Sequence, residues 1–180
     1  MMDFIKKRKD EQMMGGSYRR GKRKNKNLAR QAATYLRKSD GPRVAVFEVN
    51  GFDTHAAQGG VDGTHTKCLV EMDEIINNLK DNLQEAYKDT IILTVTEFGR
   101  TVKQNGGNGT EHGYGTAIFM AGGLIKKSQV HTDWPGLKKK ELYQGRDLNA
   151  TIDARSVYAS AMSTVFDLDF KRIQKDVFWG

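Results

Sequence analysis

Cysteine is almost missing from this sequence. Cys68 stands alone among 180 residues, so no intrachain disulfide and no cysteine zinc cluster can form. Its place in an apolar, helix-spaced stretch predicts core packing rather than reactivity. Long apolar runs are also missing. No segment approaches the ~18 apolar residues of a membrane span. The positive charge near the amino terminus has no apolar stretch behind it, so no secretory signal is expected within these residues. Internal repeats are absent. The length suggests one domain, large enough to bury a core without disulfides.

Charge is present but unevenly placed. Residues 1–38 carry 13 Lys/Arg against 3 Asp/Glu, a balance of +10, and residues 39–180 carry 16 against 19, a balance of −3. The net +7 therefore belongs to the leader. Blocks of like charge are usually solvated, and residues 1–26 hold too little apolar area to offset chain entropy. They are expected to be a basic flexible leader, with the folded part over residues 27–180. Aromatics are scarce beside the basic cluster Arg19 to Lys26, where only Tyr18 lies nearby. A salt-sensitive contact to a polyanion is conceivable there, but a stacking platform is not, and nucleic acid is not an expected partner.

Apolar spacing predicts a short helix over 27–38, ended by Asp40-Gly41-Pro42. A strand is predicted over 43–49, where Val44, Val46, Phe47 and Val49 are strong β formers. A long amphipathic helix follows over 66–87, with Leu69, Met72, Ile76, Leu79, Leu83 and Tyr87 at helical spacing. The apolar run Ile91 to Val95 suits an interior strand of a parallel sheet over 90–96. A third strand is predicted over 116–121. A last helix spans 153–166, with Asp153 as N-cap and Val157, Tyr158, Ala161 and Val165 on its apolar face. The loops 51–64 and 99–115 are glycine-rich.

In open α/β sheets, ligands bind beyond the carboxyl ends of the strands. Polar residues in those places are Asp53 and His55 after the first strand and Glu97 and Arg100 after the second. Glu111 and His112 precede the third. Carboxylates and imidazoles hold zinc, manganese or iron where thiolates are lacking, and Arg100 could take an anionic group through its planar fork. Each has a plainer reading. Asp53 could accept amide hydrogen bonds in its own turn, His55 could be a surface residue, and Glu97 could pair with Arg100. Gly106-Gly107-Asn108-Gly109 lacks the lysine and helix start of a phosphate-binding P-loop and reads as a flexible loop.

Six motifs occur in order: Gly51-Phe52-Asp53-Thr54-His55, Thr96-Glu97-Phe98-Gly99-Arg100-Thr101, Gly109-Thr110-Glu111-His112-Gly113, Ala121-Gly122-Gly123, Gly145-Arg146-Asp147-Leu148, and Thr151-Ile152-Asp153-Ala154-Arg155-Ser156-Val157-Tyr158. Together they resemble the domain of unknown function 1501 family, a branch of the alkaline phosphatase and sulfatase superfamily, over residues 25–168. The resemblance implies the carboxy-terminal part of an alkaline-phosphatase-like three-layer α/β sandwich with a mainly parallel sheet. It implies metal ligands at positions matching Asp53, His55, Glu97 and His112, with Glu111 a lesser candidate, and a divalent metal such as zinc or manganese. It implies an anionic small molecule or ester as substrate. Many members are exported bacterial proteins, which implies a periplasmic or exported location for full-length members.

The sequence departs from that pattern. Glu111 stands where the family usually has Asp. Glu97-Phe98 stands where the wider superfamily often has Asp-His, which removes one nitrogen ligand. The superfamily's nucleophile and one metal carboxylate lie in an amino-terminal half, expected to precede residue 1. The expected function is therefore that of a partial metal-dependent phosphatase- or sulfatase-like hydrolase with an incomplete metal site, inactive on its own. The alternative is a non-catalytic binding or structural module of the same fold that uses its basic leader to hold an acidic partner.

Overall fold

The computed structural model of the protein describes residues 16–178. Along the chain come α1 (Gly16–Leu36), α2 (Thr64–Leu83), a 3-10 turn (Gln84–Asp89), β1 (Ile92–Leu93), β2 (Gly99–Arg100), β3 (His112–Gly113), β4 (Met120–Ala121), a second 3-10 turn (Lys139–Glu141), α3 (Ala154–Phe166) and α4 (Phe170–Val177). They divide into two compact units. The first holds the described residues up to Val49 together with Glu71–Leu83. The second holds Asn50–Val70 and the described chain from Gln84 onward. Among the described residues no helix is long and apolar enough to cross a membrane.

In the first unit, α1 begins eleven residues before the predicted start at 27. Residues 16–26, expected to be flexible leader, are helical; residues 1–15 of that leader lie outside the described residues. Lysine and arginine are good helix formers, and the basic segment finds acidic partners on α2. Asn25 Nδ2 donates to Glu71 Oε1 at 2.8 Å, and Lys26 Nζ lies 3.0 Å from Glu74. On α1, Ala29 and Ala33 are fully buried, one turn apart.

Along α2 the buried positions are Cys68, Glu71, Ile75, Leu79 and Leu83. The stripe has helical spacing but is turned by about one residue from the predicted face. Leu69 is exposed, and Met72 and Ile76 are only half-buried. Glu71 accounts for the turn. A sequence pattern puts a carboxylate outside, but Asn25 satisfies this one and lets it face inward. The helix stops at Leu83 rather than running to 87, because Gln84 adopts a positive φ of 53°.

The strands differ most from expectation. Residues 43–49 form no strand, and Val44 and Val46 stay exposed. Among the described residues no backbone hydrogen bond reaches residues 44–49. Strand-forming side chains make a strand only where a neighbour supplies the ladder. The segments at 90–96 and 116–121 supply β1 and β4, which pair antiparallel, Ile92 with Ala121 and Leu93 with Met120. Thr94 N–H extends the ladder to Phe119 O at 3.0 Å. β2 and β3, expected to be loop, form a second antiparallel pair.

In the second unit, α3 starts where predicted. Asp153 caps it, its side chain accepting the Arg155 amide. On the predicted face Ala161 is buried and Val157, Tyr158 and Val165 are half-buried. Asp167 closes the helix in a left-handed conformation, its N–H donating to Ser163 O. α4, not predicted, begins at once on its own cap, Asp169, and buries Ile173. The predicted core role of Cys68 matches its position: it is buried and its thiol donates to Gly51 O at 3.2 Å.

Leu79 is 6% exposed. Replacing it with alanine removes buried methyl groups and leaves a cavity, so Leu79→Ala should lower stability by about 2–5 kcal/mol, read from chemical denaturation. A loss near zero would mean that the buried stripe of α2 is not packed.

Candidate metal centre

The site is built by two short antiparallel alignments. The first is β2 against β3, which sets Gly99 opposite Gly113 and Arg100 opposite His112. Residues directly opposite in an antiparallel pair share a face, so Arg100 and His112 reach the same side. Thr101 N–H donates to Glu111 O at 2.9 Å and carries the pairing one residue further. Gly113 allows the close approach, since a Cβ there would crowd the Arg100 carbonyl.

The second alignment lays the loop around Asp53 along the loop before His112. Ala57 N–H donates to Gly107 O and Gln58 N–H to Asn108 O, both at 2.9 Å, and Thr110 N–H donates to Thr54 O at 3.1 Å. Gly109 makes this possible: a Cβ there would overlap the His55 carbonyl. The buried hydroxyls of Thr54 and Thr110 both donate to Gln58 Oε1, at 2.9 and 2.7 Å. A buried hydroxyl without a partner is costly, and one glutamine satisfies the two.

These alignments bring three side-chain atoms together. Asp53 Oδ1 lies 2.9 Å from His55 Nε2 and 3.0 Å from His112 Nε2. The two Nε2 atoms are 3.1 Å apart. The three residues form a group able to hold a metal ion, and all are exposed. Phe98 stacks on the His112 ring, with centroids 3.7 Å apart and planes 15° apart. The two imidazoles lie at 4.8 Å and 45°.

The other expected site residues have different places. Glu111 does not enter the triangle. Its Oε2 lies 3.0 Å from His55 Nδ1, the far side of that ring. Glu97 is exposed and outside the group. Glu97 lies at a bend just before β2, and the next residue, Phe98, is the one that packs on His112. Arg100 does not stand free on the rim as an anion contact. Its Nη1 donates to Asp53 Oδ1, its Nε to Thr110 Oγ1 at 3.0 Å and its Nη2 to Thr110 O, and its side chain is only 18% exposed. Asn105, Gln58 and Phe98 were not predicted to take part. An Asn-Gly-Gly sequence signals a turn at Asn105, but no sequence signal ties it to residue 55.

The Arg100 guanidinium, with a smaller contribution from His112, holds the Asp53 carboxyl below its ordinary range. Hydrogen bonds from Asn105 and then His55 do the same for Glu111. Both groups are therefore charged at neutral pH. A depressed folded-state value means that their favourable contacts are complete above the ordinary carboxylate range of roughly 4 and are lost as pH falls through the depressed value.

In Arg100→Gln the largest cause at Asp53 is removed. Its carboxyl should then titrate at higher pH than in the unaltered protein, followed by carbon NMR of the carboxyl carbons. An unchanged midpoint would mean that Arg100 does not govern Asp53. No curated protein and no solved structure matches this chain. A family model described as a protein of unknown function, DUF1501, matches residues 2–175, and the chain belongs to that family.

Proposed function

We propose that Asp53, His55 and His112 hold a divalent cation, zinc or manganese, and that this cation is the working centre of a phosphatase- or sulfatase-like hydrolase domain. The observation that carries the reading is the triangle of one carboxylate oxygen and two imidazole nitrogens with edges of 2.9, 3.0 and 3.1 Å. Around a cation ~2.1 Å from each donor, neighbouring ligands stand about 3.0 Å apart on an octahedral face and about 3.4 Å apart on a tetrahedral one. The edges match the octahedral face, a geometry manganese takes. The intrinsic affinity order favours zinc. Two imidazoles with a carboxylate make a mixed nitrogen and oxygen donor set, which suits such metals better than calcium or magnesium.

Bound there, a divalent cation would polarise a phosphoryl or sulfuryl oxygen as a Lewis acid. The residues around it do the rest. Arg100 anchors Asp53, Phe98 holds the His112 ring flat, and the exposure of the triangle leaves it open to an anionic ester. The hydroxyls of Thr54 and Thr110 are committed to Gln58, so neither is free to attack. The order of the six motifs supports placement within the alkaline phosphatase and sulfatase superfamily.

Calorimetric titration with zinc and with manganese should show one weak site. It should vanish in the His55→Ala, His112→Ala double variant while the thermal transition is retained. Equal binding by the double variant would falsify the cation reading and favour a structural module of the same family.

A further inference from the structure

We infer that Glu111, held by Asn105, is the positioning residue of His55: it accepts the Nδ1–H hydrogen bond and so turns the Nε2 lone pair of that ring toward Asp53 and His112. The inference rests on the cation reading and adds to it the group that prepares His55 as a ligand.

A neutral imidazole carries its one proton on either Nδ1 or Nε2. His55 has an acceptor at both nitrogens, so the choice is a competition. Nδ1 faces Glu111 Oε2 at 3.0 Å. Nε2 faces Asp53 Oδ1 at 2.9 Å and His112 Nε2 at 3.1 Å. With the proton on Nε2, the bare Nδ1 would sit against a charged carboxylate that has nothing to give it. With the proton on Nδ1, Glu111 receives a charge-assisted hydrogen bond. Asp53 is the weaker competitor. Arg100 already donates to its Oδ1, and His112 Nε2 lies 3.0 Å from the same oxygen as a second source of a proton. Glu111 accepts only from His55 and Asn105 among the contacts of its carboxylate.

Glu111 is unusually well placed to impose this. Its backbone is tied at both ends to the buried Thr101, N–H donating to Thr101 Oγ1 at 3.1 Å and O accepting from Thr101 N–H at 2.9 Å. Its other carboxylate oxygen, Oε1, accepts from Asn105 Nδ2. Asn105 is fixed in turn. Nδ2 also donates to His55 O at 2.8 Å, and Oδ1 accepts the amides of Gly107 and Gly109 at 2.9 and 3.0 Å. One asparagine thus grips both the backbone of His55 and the carboxylate that orients its ring. Ligating histidines commonly give their second N–H to a carboxylate, which fixes ring and tautomer.

The test reads the tautomer in the metal-free protein by long-range proton–nitrogen NMR of the ring nitrogens, at a pH where the imidazoles are neutral. The expected result is a protonated Nδ1 and a bare Nε2 on His55. Glu111→Ala should shift His55 toward the Nε2–H form. Glu111→Gln offers one acceptor to two donors, Asn105 Nδ2 and His55 Nδ1, so its His55 should fall between Glu111→Ala and the unaltered protein, whereas a merely structural role would not separate the two variants. A protonated Nε2 in the unaltered protein, or an unchanged tautomer in Glu111→Ala, overturns the inference. Zinc calorimetry is the second arm. Glu111→Ala should bind about 10–100-fold more weakly, with Glu111→Gln between it and the unaltered protein. Unchanged zinc affinity in Glu111→Ala would overturn the proposed service to the cation. If the unaltered protein takes up neither zinc nor manganese, the cation reading falls instead, and the tautomer still decides whether Glu111 sets His55.

Discussion

The pairing of Gly99–Arg100 with His112–Gly113 governs the site out of proportion to its length. Because Arg100 and His112 are direct cross-strand partners, one register delivers an imidazole and the guanidinium that anchors Asp53 to the same face. A slip of one residue would turn His112 to the face opposite Arg100. It would also bring Glu111 round to the face that His112 now occupies. Glycines fit this constraint, since Gly113 lets the two backbones approach and Gly109 lets the Asp53 loop lie alongside.

Charge is balanced residue by residue rather than in bulk. Asp53 has Arg100, and Glu111 has Asn105 and His55. Both carboxylates thereby stay ionised, Asp53 against the largely buried Arg100 side chain and Glu111 against neutral donors. His55 thus faces Glu111 through Nδ1 and both Asp53 and His112 through Nε2.

Much of this was legible in the residues, and the failures have causes. The Asp-Thr-His and Glu-His-Gly motifs pointed to Asp53, His55 and His112 as one candidate group, and the three side chains do meet. The N-cap at Asp153 was readable because capping is local chemistry. Glu97 stands outside the group because the chain bends there and Phe98 is the residue set against His112, a turn that the motif does not reveal. Arg100 misled because an arginine fork suits an external anion and an internal carboxylate equally. Asn105 and Gln58 were invisible, since they act on residues some fifty positions away in sequence. The stripe on α2 was misread by one position because Glu71 was assumed to face solvent. The parallel sheet expected from apolar runs is replaced here by two-residue antiparallel ladders. Those runs state a preference for pairing but not the partner.

The bare segment at 43–49 has a cost of another kind. Val44 and Val46 are exposed and its amides at 44–49 lie outside any ladder. Extended, β-branched and unpaired, it is a template on which another chain can add a strand. Pro42 and Arg43 guard one end and Glu48 the other, the kind of flanking residues that discourage such stacking. Pro42, Arg43 and Glu48 therefore bear on how this chain meets other copies of itself and not on how it folds.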